Sequence, residues 1–234
     1  MQWTLYSAHQ REIMFDKPAV MAIMNATPDS FSDGGMLEIN VQLMKHIENI
    51  IAADADIIDV GGESTRPGHM PVSADEETTR VVRVIKAIRE QNEKIPISVD
   101  TQKVSVARAS IAAGADFVND VSGLTDPELA GFVDDSKCSV VLMRHRALGP
   151  NLVEDCSKQT LDLVKNAQAA GIDSAKLILD PGLGFGDLAE GDFSALPGGD
   201  VAANLDLIYR LNEWSFRYYG RNVFGIFKIC TWRW

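Results

Sequence analysis

Polar residues recur in this chain at the ends of short apolar runs, and these are the residues able to do chemistry. The run 20–24 is followed by Asn25 in MNATPDSFSDGG, and the run 56–60 leads into GGESTRPG. The run 95–99 stops at Asp100, the run 117–119 ends on Asn119 with Asp120 next, 139–143 precedes Arg144 and His145, and 176–179 precedes Asp180 in LDPGLGFG. Taken singly, Asn and Asp at such places are turn formers and helix caps. Taken together, Asp100, Asn119 and Asp180 offer short acceptor side chains, and Asn119 can donate as well. That set suits a flat heterocycle with an aminopyrimidinone edge, which presents donors and acceptors side by side. The two long loops carry paired glycines, Gly34 with Gly35 and Gly61 with Gly62, which permit positive φ and close backbone approach to a ligand. Thr27, Ser30, Ser32, Ser64 and Thr65 supply hydroxyls, and Arg66 a planar guanidinium, for diphosphate oxygens. Arg66 stands directly before Pro67, where a restricted backbone would aim it. The plainer alternative for both segments is an ordinary surface loop.

These groups can meet only if the runs that carry them are parallel strands. Between the runs lie segments of helical period. Leu43, Met44, Ile47, Ile50 and Ile51 make one stripe; Val81, Val82, Ile85 and Ile88 make the next, opened by Ser73 and Glu76 at capping-box spacing. Val104, Ala107 and Ile111 precede Gly114, and Leu161, Val164 and Gln168 precede Gly171, each glycine placed as a helix stop. Val201, Leu205, Ile208 and Leu211 precede a seventh run, 222–227. Strict strand–helix alternation implies right-handed crossovers and a parallel sheet. A doubly wound sheet is the alternative, but six successive runs end in polar groups or Gly, and the GxGxxG turn of a dinucleotide-binding sheet is absent after the first. The expected fold is therefore a TIM-type (β/α)8 barrel, one domain over 1–234, with every strand end converging on one mouth.

The 234 residues suit one such domain, and a hydrophobic share of 46% supplies a core. A formal charge of −11 argues against nucleic acid or an anionic membrane as partner. Cys138, Cys156 and Cys230 form no CxxC pair, as expected in a reducing compartment. The first residues, MQWTLYSAHQRE, do not read as a signal peptide, and no apolar run approaches a membrane span. The expected location is cytoplasmic.

MNATPDSFSDGG, DIIDVGGESTRPG, ISVDTQK, AGADFVNDVSG and LILDPGLGFG, in this order, closely resemble dihydropteroate synthases, the folate-pathway enzymes that sulfonamides inhibit. The resemblance implies condensation of 6-hydroxymethyl-7,8-dihydropterin diphosphate with p-aminobenzoate, giving 7,8-dihydropteroate and pyrophosphate. It implies that Asp100, Asn119 and Asp180 hold the pterin and that Thr65 and Arg66 lie beside the reacting groups. It also implies that Phe31 and Pro67 flank the aminobenzoate, and that Asn25 helps place a Mg²⁺ ion on the diphosphate. It leaves a homodimer open.

The family pattern is broken in three places. The family has His directly after the Met of its fifth strand, where this chain has Arg144 and then His145. It often has Lys after GFG, where this chain has Asp187. Its Gly-x-Ser-Arg-Lys after strand seven is replaced by Gly225, Ile226, Phe227, Lys228 and Ile229, and the sequence stops at TWRW. From this we expect a barrel ending near strand seven, without strand eight and the last helices, and with weakened turnover. A pterin-binding remnant without turnover and a methyltetrahydrofolate-dependent methyltransferase domain are the alternatives.

Overall fold

The computed structural model describes residues 2–26, 36–63, 71–144, 152–180 and 182. Its elements run β1 (Trp3–Tyr6), β2 (Glu12–Phe15), β3 (Met21–Asn25), α1 (Met36–Ala52), β4 (Ile57–Gly61), α2 (Ala74–Gln91) and β5 (Ile97–Asp100). There follow α3 (Val104–Ala113), β6 (Phe117–Asp120), α4 (Pro127–Ser136), β7 (Val140–Met143), α5 (Leu152–Ala169) and β8 (Leu177–Asp180). The expected seventh run at 222–227 and the expectations about the last segment lie outside the described residues.

Strands β3 to β8 form one parallel sheet in strictly sequential order. Each right-handed crossover then steps the same way, so every helix falls on the same face and the sheet curls around the other. A doubly wound sheet reverses its strand order part-way, which this one does not. The barrel reading holds for the described strands. β4 and β7 are buried at every position, as strands with helices on one side and barrel interior on the other must be.

The stripes read from the sequence face the core: Leu43, Ile47 and Ile50 of α1, and Val81, Ile85 and Ile88 of α2, are buried. Ser73 caps α2 by accepting from the Glu76 N–H at 3.2 Å, while the Glu76 carboxylate pairs with Arg80 one turn on. Gly114 ends α3 in the left-handed conformation, at φ 115°. Several strands begin and end a residue or two later than the apolar runs, so that Asn25, Gly61, Asp100, Asp120 and Asp180 belong to the ladder itself. The ladder bonds backbone groups only, so a polar side chain does not end it.

The sequence reading missed the β1–β2 hairpin. Its strands pair antiparallel from Trp3↔Phe15 to Tyr6↔Glu12, with the Trp3 and Phe15 rings stacked at 4.3 Å. The hairpin covers the end of the barrel where strands start. Ser139 N–H donates to Tyr6 C=O at 2.7 Å, and Ala8 N–H to Asp116 C=O at 2.8 Å.

One carboxylate ties this end together. Asp116 is fully buried; its Oδ1 accepts from Ser7 Oγ at 2.5 Å and Arg11 Nη2 at 2.6 Å. Its Oδ2 accepts from Arg89 Nη2 at 2.7 Å and the Ile97 N–H at 3.0 Å. Arg89 in turn donates to the carbonyls of Gly114 and Ile95. Hairpin, α2, β5 and β6 thus meet at one residue. Asp116→Ala is expected to cost about 3–5 kcal/mol, because it strands the part-buried Arg89 charge. Ser7→Ala, which removes one donor of several, should cost about 1 kcal/mol. Urea unfolding of the three proteins measures both; equal stability of Asp116→Ala and the parent would refute the assignment.

Candidate functional site at the strand ends

The register places Asn25 opposite Gly61, Gly61 opposite Asp100, and Asp100 opposite Asn119. One row across four strands therefore holds Asp100 and Asn119, expected to bind the ligand ring, and Asn25, expected to help place a metal ion. Gly61 leaves the row open, since a Cβ there would sit 3.6 Å from Asp100 Oδ2 and 3.9 Å from Asn25 Oδ1. Neither Gly61 nor Gly62 has positive φ, so space, not an unusual turn, is what the pair supplies. A Cβ on Gly62 would lie 2.8 Å from Glu77 Cγ and 2.9 Å from Val81 Cγ1.

The row continues through Val141 and Ile178, and Asp180 stands two residues further along β8, close enough for its charge to act on Asp100. Asp180 Oδ1 accepts the Gly182 N–H at 2.7 Å, and Gly182 adopts φ 64°, with the Arg144 carbonyl where a Cβ would go. The turn-forming reading of Asp180 is thus partly right. For Asp120 it is right in full: its two oxygens accept the Ser122 and Leu124 N–H groups at 2.8 and 2.6 Å. Arg144, where the family has His, is buried, and its charge partly offsets the burial that raises the Asp180 pKa.

Two groups that sequence reasoning passed over complete the cluster. Asp59, in the middle of β4, is buried; its Oδ1 takes the Ser98 hydroxyl hydrogen bond and its Oδ2 accepts from Asn119 Nδ2 at 2.9 Å. Burial pushes the Asp59 pKa up; the bonds from Ser98 and Asn119 hold it down, and Asp180 adds an upward push. The available signal was an Asp inside an apolar run, since a charge in a strand covered on both faces is rarely accidental. The second group is Lys103, whose Nζ pairs with Glu63 and Glu77 and donates to the Val72 carbonyl at 3.0 Å. Burial alone would lower its pKa, but Glu63 and Glu77 outweigh that and raise it. Thr101 Oγ1 donates to the other Glu77 oxygen at 2.7 Å.

Asp100 is the exception to this satisfaction. Its Oδ1 is cut off from solvent and finds no hydrogen-bond partner among the described residues. Burial first, then the charges of Asp59, Glu77, Asp120 and Asp180, hold its pKa well above the ordinary carboxylate range. Such a cluster wants donors from outside, and a planar ligand edge rich in N–H groups supplies them.

The expected Mg²⁺ ion with Asn25 as ligand is corrected by the geometry. Among the described residues, no group of three or more His, Cys, Asp or Glu side chains could hold a metal ion. Asn25 offers one neutral amide oxygen at an exposed strand end. Asp59 is committed to Ser98 and Asn119, and one oxygen of Asp180 to Gly182, whereas Mg²⁺ demands a near-octahedral set of oxygens. Phe31, Thr65, Arg66, Pro67 and His145 lie outside the described residues.

Residues 21–204 match the family model described as pterin binding enzyme. The chain belongs to the pterin-binding enzyme family. Within it, the chain is 42% identical over 184 residues to the dihydropteroate synthase of Clostridium beijerinckii, a match covering 77% of this chain and 68% of that protein. The solved dihydropteroate synthase of Xanthomonas albilineans with 4-aminobenzoic acid superposes with a TM-score of 0.78 at 35% identity, covering 94% of this chain and 76% of that one. The same enzyme in complex with 7,8-dihydropteroate gives 0.72 at 35% identity, covering 91% and 74%. The fold is that of the family's (β/α)8 barrel. Among the described residues, no helix is long and apolar enough to cross a membrane.

The crowding of carboxylates in this pterin-binding barrel makes a prediction with a definite sign. A raised Asp100 pKa means the folded state holds its proton at pH values where the unfolded chain, titrating near 4, has lost it. Stability contributed by this group therefore falls as pH rises from about 4 through the folded pKa. Asp100→Asn is expected to be more stable than the parent at pH 8, on the order of 1 kcal/mol, with the gap closing near pH 4. Urea unfolding across that range measures it; a gap that widens on acidification would show that Asp100 is stabilised as its anion.

Proposed function

We propose that the chain is a dihydropteroate synthase: it joins 6-hydroxymethyl-7,8-dihydropterin diphosphate to p-aminobenzoate and releases pyrophosphate. The observation that carries this reading is the meeting of Asp100, Asn119 and Asp180 in one acceptor-rich cluster at the strand ends of a barrel of this family. The solved relatives bound to 4-aminobenzoic acid and to 7,8-dihydropteroate, one substrate and the product of that reaction, support it.

The carboxylates of Asp100 and Asp180 accept N–H groups of the pterin, and the ligand thereby supplies the donor that Asp100 lacks. Accepting those N–H groups favours the ionised form of the carboxylates, and negative charge beside the ring stabilises positive charge developing at the exocyclic methylene carbon. The bond from that carbon to the diphosphate oxygen breaks, and its electron pair leaves with the diphosphate. The arylamine nitrogen then forms the new bond to the methylene carbon and loses a proton to solvent. Thr65 and Arg66 are the candidates to meet the departing anion, and Phe31 and Pro67 to flank the arylamine ring. The proposal places the protein in the cytoplasm; sedimentation equilibrium decides whether it is a homodimer.

Pyrophosphate release that requires both substrates tests the reaction. Pterin binding without release would favour the non-catalytic alternative, and no pterin binding would defeat both. Asp100→Ala is expected to weaken pterin binding about ten- to a hundredfold by calorimetric titration, since it leaves ligand donors unpaired. Arg66→Lys should lower turnover by more than it lowers pterin affinity, because a point charge does not reproduce the planar fork. Equal turnover of Arg66→Lys and parent would remove Arg66 from the reaction.

A further inference from the structure

Asn119 is the one neutral member of the acceptor cluster, and its side chain has two chemically opposite faces. Which face meets the ligand decides whether that position offers a carbonyl or an amine. In most sites ligand and solvent choose between them. Here a residue one layer deeper has already chosen.

Asp59 lies below the row formed by Asp100 and Asn119, two residues down β4 from Gly61. It is buried and has two oxygens with two partners: the Ser98 hydroxyl on Oδ1 and Asn119 Nδ2 on Oδ2. Both oxygens of this carboxyl group act as acceptors here. It therefore takes the amide nitrogen of Asn119 and turns the amide oxygen away from itself. Reversing the amide would set two acceptors against each other in a buried site, with the penalty of unmatched polar groups.

We propose that Asp59 is a positioning residue that sets the specificity of the pterin site, by locking the Asn119 amide so that its Oδ1 faces the ligand. This rests on the pterin-binding reading above. With Asn119 so oriented, Asp100, Asn119 and Asp180 all present acceptors, and the site selects a ring edge that carries an exocyclic amine. An edge with a carbonyl in that place meets oxygen with oxygen and is rejected. Asp59 contributes this without touching the ligand. Ser98 serves Asp59 and not Asn119, which gives the control: its loss removes a partner of the same carboxylate while leaving the amide lock in place.

The test uses calorimetric titration of the full chain with 6-hydroxymethylpterin and with its 2-oxo counterpart, in which a carbonyl replaces the exocyclic amine. The parent is expected to prefer the 2-amino compound by about a hundredfold, as buried polar groups do when one ligand leaves them unpaired. Asp59→Asn can pair with either face of the Asn119 amide, so the preference should fall at least about tenfold. Ser98→Ala should keep the preference within about threefold of the parent even where it lowers stability. Equal preference in Asp59→Asn and parent overturns the role of Asp59. A parent that binds neither compound overturns the pterin reading itself, and this inference with it. Should Asp59→Asn not fold, the side-chain amide signals of Asn119 in the isotope-labelled parent give a second reading. One amide proton protected from exchange supports the lock, and two exchanging at the rate of a free primary amide overturn it.

Discussion

Register is the constraint on which everything else in this barrel depends. Successive side chains of a strand point to opposite faces, so a slip of one residue would send Asp59, Asp100, Asn119 and Asp180 from the interior to the helix side. The slip is prevented by the alternate residues. Ile58 and Val60 flank Asp59, Val99 precedes Asp100 and Val118 precedes Asn119, and all are fully buried. The apolar half of each strand thus holds the polar half in place. Packing on one face and recognition on the other are the same structural fact.

The polar half is arranged in depth. Asp59 and Ser98 sit opposite each other in the register, and one step along the same faces come Gly61, Asp100 and Asn119. The lower layer satisfies itself, with Asp59 accepting from Ser98 and Asn119. The upper layer does not, since Asp100 Oδ1 is without a partner among the described residues. A satisfied layer under an unsatisfied one is what orients the latter, because the amide of Asn119 is already committed from below. Lys103 does related work at the side of the mouth. Its one ammonium pairs with Glu63, where the chain leaves β4, and bonds Val72, where it comes in to α2.

Much of this was legible in the sequence for a physical reason. Helical stripes such as Leu43, Ile47 and Ile50, and β-branched runs such as Ile57 and Ile58, are periodic signals that burial imposes directly. Asp100, Asn119 and Asp180 were legible because they stand where an apolar run stops. Asp59 and Ser98 were passed over because they lie inside such runs, although a polar group within an apolar run is itself a signal and alternation puts Ser98 on the face of Asp100. The Mg²⁺ expectation came from resemblance alone, and among the described residues no cluster of side chains around Asn25 could hold the ion. The hairpin went unread because its value is entirely long-range: Ser7 gains a partner in Asp116 and Tyr6 in Ser139, more than a hundred residues on.

The two ends of the barrel use the same group to opposite effect. Asp116 and Asp100 are both aspartates at the boundary of a core strand. The first is surrounded by four donors from Ser7, Arg11, Arg89 and Ile97, and the hairpin seals it from water. The second is surrounded by Asp59, Glu77, Asp120 and Asp180, and its neighbours raise its energy instead of lowering it. Compensating Asp100 from within the protein would stabilise the fold and remove the reason for a ligand to bind. The stability forgone at the mouth must then be held elsewhere, and the paired network around Asp116 is the part of the described structure best placed to hold it. A barrel separates these demands naturally, because its two ends share strands and register but do not share side chains.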